Sequence, residues 1–308
     1  MPLDLTRAKF TGPALPEPFV KFELEKEISA LLPKNTAAEG KKLLEFWQFY
    51  LRKLKTCPAN AGESSVMSHV IEPVMERLGY KEKEDCEEIE TREGKEKAGY
   101  ILKNEQGKTV RVWTLEKGAD LEAPRRRGEA YRFSPVKTAA RVLGSVQERV
   151  GILTNGNDLK ILLFDPARPE SDIHISIDTD WATSRYQVPD TFRLFIALCS
   201  PQGIELLPKI LDKARLNQAK VTKDLRQQAR QAVEEFIQGI LQEPANKKTF
   251  EKYKDKQALA RLLWHEGLVI VYRLLFILKG ESNDDPARSF RFTTSSIWRK
   301  TYSPSLYL

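Results

Sequence analysis

The stretch VRVWTLEKGADL, residues 110–121, decides how the first half of this chain is read. Val110, Val112 and Trp113 make a β-rich run that ends in a carboxylate and a lysine and leaves through Gly118. Strand side chains alternate between faces with period two, so the adjacent Glu116 and Lys117 point to opposite sides. The residue sharing the face of Lys117 is Leu115, which carries no charge. An acid at that position would make a pair suited to phosphate chemistry. As it stands, Glu116 and Lys117 also fit an ordinary solvated strand end, and the surrounding elements must decide.

Working outward, AGYILKNEQGKTVRVWTLEKG reads as a hairpin turning at Gln106-Gly107. Upstream, Pro2, Pro13, Pro16 and Pro18 predict an irregular arm over the first twenty residues. Helical patterns follow over 22–32 and 37–55, the second with Leu43, Leu44, Trp47, Tyr50, Leu51 and Leu54 at helical spacing. CPANAGESS is a loop whose serines are expected to cap a helix running to Leu78 and stopped by Gly79. Downstream, Ser134-Pro135 is a hydroxyl N-cap followed by proline at the first helical position. The helix SPVKTAARVLGSVQERV then hands over to VGILT, a tight turn at Asn155-Gly156, LKILLFD and the alternating IHISI. Beyond the loop 181–189 the pattern is helical throughout: a helix starting at Asp190, a long one over 207–241, and an apolar one over 256–279. The fold class expected is α+β, a mixed α/β core followed by an all-helical domain. Its divisions are an arm with helices over 1–62, the α/β domain over 63–185 and the helical domain over 186–308.

Lys and Arg number 50 against 43 Asp and Glu, a net charge of +7, which is compatible with a nucleic-acid partner without requiring one. Cys57, Cys86 and Cys199, and His69, His174 and His265, are scattered without metal-ligand spacing, which points to a reducing cytoplasm and no structural zinc. No signal-peptide layout opens the chain. The most apolar run, 262–278, is broken by His265, Glu266 and Arg273, so a buried core helix is expected rather than a membrane span, with His265 a core histidine.

Helix, hairpin, helix and strand pair is the element order of the PD-(D/E)xK nuclease core, and the chain resembles that restriction-endonuclease-like fold. Its chemistry needs carboxylates at neighbouring strand ends to hold a divalent metal that activates water. On that template Lys117 takes the lysine position, Leu115 the second acid, and Ala98-Gly99 the first. Glu116 faces away unless a bulge re-aims it, and Glu72 and Asp120 are stray acids. The resemblance therefore implies a degenerate site near Glu116 and Lys117, with no metal bound and no cleavage. Gly99→Asp with Leu115→Glu is the pair that would rebuild it.

Further blocks extend the resemblance over residues 65–308. GILTNG followed by a strand is similar to a block in the N-terminal nuclease-like region of type IIG restriction-modification enzymes. EGLVIVYRLLFIL resembles the helix leading into their methyltransferase domain. YRFSPVKTAARVL, ILLFDPARPESDI and SSIWRKTYSPS resemble the large adenine-specific DNA methyltransferases of BREX- and DISARM-like antiphage systems. Order and spacing together carry the likeness. A methyltransferase of this class needs a Gly-rich turn for S-adenosylmethionine and an [N/D]-P-P-[Y/F] motif that holds a flipped base. Neither occurs here, and FDPARP lacks the second proline and the aromatic. The resemblance implies an N-terminal portion, or split product, of such an enzyme. S-adenosylmethionine belongs to the parent and no cofactor to this chain. The partners expected are double-stranded DNA and other subunits of a defence system. A self-standing metal-dependent nuclease and a non-catalytic interaction module are the alternatives.

Two basic stretches are candidates for phosphate contact. PRRRGEAYRFSPVK places Arg125, Arg126, Arg127, Arg132 and Lys137 around a helix start, where arginine forks and helix amides both suit phosphate oxygens. On the long helix, Leu211, Ala214, Val221, Leu225, Ala229, Ala232, Phe236 and Ile240 share one face. Lys209, Lys213, Lys220, Lys223 and Arg230 share the other, which is read as a solvated face. Trp181, in a loop, is the one tryptophan placed to stack on a base; the others are read as core or interface.

Overall fold

The computed structural model describes residues 3–5, 7–33, 36–92, 94–124, 133–166, 170–177, 186–281 and 290–306. The chain divides into two compact units, Met1–Asn217 and Gln218–Leu308.

Among the described residues the first unit is built on nine strands: β1 (Ala8–Thr11), β2 (Tyr80–Asp85), β3 (Glu88–Thr91), β4 (Gly94–Lys97), β5 (Tyr100–Asn104), β6 (Thr109–Thr114), β7 (Val150–Thr154), β8 (Asp158–Leu163) and β9 (Ser171–Ser176). Seven form one mixed sheet in the order β1-β9-β8-β7-β6-β5-β2, and β3 pairs with β4 beside it. β2, β5 and β6 form an antiparallel meander, and β7 runs parallel to β6 with Val112 opposite Ile152. A parallel neighbour needs a crossover. It is supplied by α4 (Pro135–Val146), whose N-cap Ser134 Oγ accepts from the Lys137 amide. The other helices of this unit are α1 (17–28), α2 (Ala37–Thr56), α3 (63–78, with a π turn at Met67–Ile71), α5 (Asp190–Cys199) and the first part of α6 (Pro201–Gln242).

The period-two pattern of the strands sorts their side chains into two cores. Val110, Val112, Ile152, Ile161, Ile173 and Ile175 share one core with Trp47 and Tyr50 of α2, Met67 and Val70 of α3 and Phe192 and Phe195 of α5. Trp113, Leu153 and Leu162 pack on the opposite face against Val136, Ala139, Val142 and Leu143 of α4. The aromatic centre of the larger core is tight: the Phe192 ring lies 4.8 Å from Trp47 and 5.6 Å from Phe195.

Several expectations are corrected here. The proline-rich arm contains a strand, because Ala8 and Phe10 precede the prolines at 13, 16 and 18 and β1 pairs residue for residue with β9. The helix expected over 22–32 spans 17–28, started by Pro16 and Pro18. Gly62, not a serine, precedes α3, and no side chain caps it. Residues 190–217, read as the start of the helical domain, belong to the first unit, since the rings of α5 fill its core. The long helix starts at Pro201 and contains Pro208 inside its second turn.

The second unit holds the rest of α6, α7 (Pro244–Glu251), α8 (Lys256–Glu281) and short turns at Arg291–Thr294, Trp298–Tyr302 and Pro304–Leu306. Within it α8 meets α6 closely at Gly267, where a Cβ would stand 3.0 Å from the Val233 side chain. Ile237, Leu241, Leu259, Leu263 and Trp264 line a groove of about 630 Å³ between the two helices. The expectation of a buried core helix fails. Leu259, Gly267 and Gly280 are the buried residues of α8, while Tyr272 and Phe276 are 62% and 65% exposed. His265 is exposed too. An all-round apolar helix was read as buried on composition, but in the second unit one flank alone is covered. Among the described residues no single helix is long and apolar enough to cross a membrane.

Candidate nucleic-acid interface

Three parts of the first unit meet around the end of β6 and the face that carries α4. The first is the strand end itself. The Lys117 ammonium donates to the carbonyls of Leu54 (2.7 Å) and Cys57 (2.6 Å), and its amide donates to Ala61 O at 2.9 Å. Those side-chain acceptors lie in the last turn of α2 and just beyond it, where helix carbonyls lack intrahelical donors and the dipole favours a cation. Lys117 is thus a C-terminal cap of α2. Glu116 is exposed, and Thr114 Oγ1 donates to the Glu63 carbonyl at 3.0 Å.

The position expected to hold the first acid is closed by backbone geometry. Trp113 Nε1 donates to Lys97 O at 3.0 Å, and Arg111 Nη1 donates to Ala98 O at 2.8 Å. Arg111 is itself held by both oxygens of Glu148, at 2.9 and 2.8 Å. Gly99 follows with φ +72°, and a Cβ there would stand 2.6 Å from Val112 O and 3.0 Å from the Trp113 ring. The expected rebuilding by Gly99→Asp with Leu115→Glu is therefore overturned: no side chain fits at 99 without shifting β6. The stray acids are engaged elsewhere, Glu72 with Lys83 at 3.0 Å and Asp120 Oδ1 with the Glu122 amide at 2.8 Å. Among the described residues no three His, Cys, Asp or Glu gather as a metal-binding group.

The second part is the base of the arginine loop. Arg125, Arg126, Arg127 and Arg132 lie outside the described residues, as does Trp181. The residues flanking the loop are well placed. Leu121 is buried and its carbonyl accepts from the Val136 amide at 3.4 Å, so the chain entering the loop is tied to the helix leaving it. Glu122 pairs with Lys160 at 2.6 Å, and Lys137 stands exposed in the first turn of α4.

The third part was not singled out from the sequence. Lys160, 3% exposed, bridges Glu122, 62% exposed, and Asp172, 7% exposed and 2.9 Å away. One step along the strands, Asp158 accepts from His174 Nε2 at 3.1 Å and from the Ser176 hydroxyl. Asp158-Leu159-Lys160 has the acid-x-lysine spacing that the end of β6 lacks, and Asp172, His174 and Ser176 face it from β9. Each group is held by its own partners, Lys160 by Glu122 and Asp172, and Asp158 by His174 and Ser176. The His174 hydrogen bond holds the Asp158 carboxyl down at about 2, against the opposing effect of burial. Burial pulls the Lys160 ammonium down, but the bonds to Glu122 and Asp172 outweigh it and leave it above its ordinary value. The hydrogen bond from Lys160 lowers Glu122 in turn. The signal available in the sequence was the period-two polar alternation of DLK and DIHIS. Chemically, the row is an ion network that pins the loop entrance at Glu122 to the sheet. No known family model, curated protein or solved structure matches this chain.

Proposed function

We propose that this chain is the N-terminal DNA-engaging and scaffolding region of an adenine-specific DNA methyltransferase from a restriction-modification or antiphage defence system. In this reading residues 63–185 form a PD-(D/E)xK-like domain that binds without cutting, and S-adenosylmethionine serves the parent enzyme. The order of β2, β5, β6, α4 and β7, with one parallel pair at the crossover, supports the nuclease-like reading of the core. One observation carries the non-cleaving half of the proposal. The lysine that would complete a catalytic trio is spent on capping α2. This reading assigns DNA contact to the arginine loop; before it Glu122 is pinned to Lys160, and after it α4 begins at its N-cap Ser134. A loop at a helix start suits phosphates rather than base edges, so binding is weakly selective for sequence.

Fluorescence anisotropy with unrelated duplexes at several salt concentrations tests the reading. Arg125→Ala, Arg126→Ala and Arg127→Ala together reduce the log–log salt slope by about 1–3 while weakening all duplexes alike. An unchanged slope would favour a non-catalytic interaction module. The same preparation is expected to leave supercoiled DNA intact with magnesium or manganese, and cutting that disappears in Lys117→Ala would overturn the non-cleaving assignment.

A further inference from the structure

We infer that the second unit carries a separate binding surface for the phosphate backbone of duplex DNA, formed by Lys247, Lys248, Lys252 and Lys254. The inference deepens the DNA-engaging reading above and rests on it. It starts from where the charge lies. Residues 1–217 hold 34 Lys and Arg against 33 Asp and Glu, whereas residues 218–308 hold 16 against 10, so the second unit carries +6 of the chain's +7. Several cations of the first unit are engaged in ion pairs, among them Lys83 with Glu72, Lys97 with Glu63, Arg111 with Glu148, Arg149 with Asp212 and Lys213 with Glu27.

The four lysines differ. All are exposed, and none pairs with a carboxylate among the described residues. Lys247 and Lys248 stand on α7, Lys252 is its C-cap, and Lys254 lies in the turn into α8. Lys248 and Lys252 are one helical turn apart, a like-charge spacing that destabilises a helix by roughly 0.2–0.5 kcal/mol. Glu251 lies within the run but forms no ion pair with these lysines among the described residues. Asp255 caps α8, its Oδ1 accepting from the amides of Gln257 (2.8 Å) and Ala258 (3.0 Å). Tyr253, 42% exposed, stands between Lys252 and Lys254. The dipole at the C-terminal end of α7 favours Lys248 and Lys252, but four cations against one carboxylate, Glu251, in eight residues leave a net +3 that a polyanion can take up. Lysines at the surface act as point charges on phosphate oxygens and carry no base information, so the surface adds affinity and salt dependence without adding sequence choice.

The test is duplex binding by the full chain at 50–300 mM salt, comparing wild type with the variant carrying Lys247→Gln, Lys248→Gln, Lys252→Gln and Lys254→Gln. A control variant removes four exposed cations of the first unit, Lys41, Lys42, Lys95 and Arg52, also as glutamine. Each lost phosphate contact lowers the log–log slope by about 0.9, so the second-unit variant loses about 2–4 and the control less than 1. Circular dichroism confirms that helix content is retained. Equal losses in both variants would reduce the effect to net charge and overturn the inference. An unchanged slope in the lysine variant, with wild type still binding, would overturn it while leaving the DNA reading in place. Absence of binding by wild type at 50 mM salt would remove both. Vesicles of anionic phosphatidylserine form the last arm: lysine-dependent capture by them at concentrations where duplex is not bound would assign the surface to a membrane instead.

Discussion

Replacing Lys117 by methionine separates a structural lysine from a catalytic one. Methionine keeps most of the apolar stem and removes the ammonium, leaving the carbonyls of Leu54 and Cys57 without their donor at the end of α2. A hydrogen bond from a charged group contributes about 1.5–3 kcal/mol net, and two are lost. A cation at a helix C-terminus adds about 0.3–1 kcal/mol. Release of the lysine's rotamers returns roughly 1–2 kcal/mol. The balance is a destabilisation of about 2–5 kcal/mol. For a folding unit of 217 residues, each kcal/mol moves the midpoint by about 2–4 °C, so Lys117→Met lowers Tm by roughly 5–20 °C. Differential scanning calorimetry and urea titration followed by tryptophan fluorescence read the change. A catalytic lysine behaves in the opposite way, since such residues are held for chemistry at a cost in stability. An unchanged or raised midpoint in Lys117→Met would refute the capping argument.

Three further outcomes follow from the same geometry. The Asp158 carboxyl sits at about 2 against an ordinary 3.8, so its contribution is present above pH 4 and is lost as pH falls towards 2. Because the side chain is 35% exposed, screening leaves about 1 kcal/mol, and the urea midpoints of wild type and Asp158→Asn are expected to differ at pH 6 and converge near pH 2. Lys160→Met strands the nearly buried Asp172 and costs about 3–5 kcal/mol, whereas Lys160→Met with Asp172→Leu recovers most of it; equal losses in the two would contradict a buried pair. Gly99→Ala costs about 2–4 kcal/mol, from the positive φ and from the clash with Val112 O, and alters Trp113 fluorescence; a variant as stable as wild type would show that β6 yields easily.

The hairpin of β5 and β6, the start of α4 at Ser134-Pro135 and the turn at Asn155-Gly156 were legible because each rests on period-two alternation or local turn chemistry. β1 was not, because four residues become a strand by pairing with β9, far along the chain. The face of Lys117 was not legible: alternation put it with Leu115, but β6 ends at Thr114, Leu115 packs on the α4 side, and the turn carries Lys117 to the end of α2 in the other core, which no local pattern encodes. Lys160 was legible in part. Its strand and face could be read from LKILLFD, while its partners depend on the register between β8 and β9 and on the path of the chain at Glu122. The charge of the second unit was countable from the start; summed over the whole chain it was diluted by the near-neutral first unit.

The pairing of β1 with β9 also sets a timetable. Ala8 lies opposite Ile175, so β1 waits during synthesis for 167 further residues before its partner exists. At ordinary synthesis rates of about 5–20 residues per second that wait is roughly 10–30 s. The β2-β5-β6 meander can form earlier from contacts close in sequence, and β1 closes the sheet last. Until it docks, β9 offers an open edge of unpaired amides and carbonyls, the kind of edge that recruits strands from other chains. Loss of the first eleven residues would make that open edge permanent, and would cost the protein its solubility during synthesis before it cost the folded core its stability.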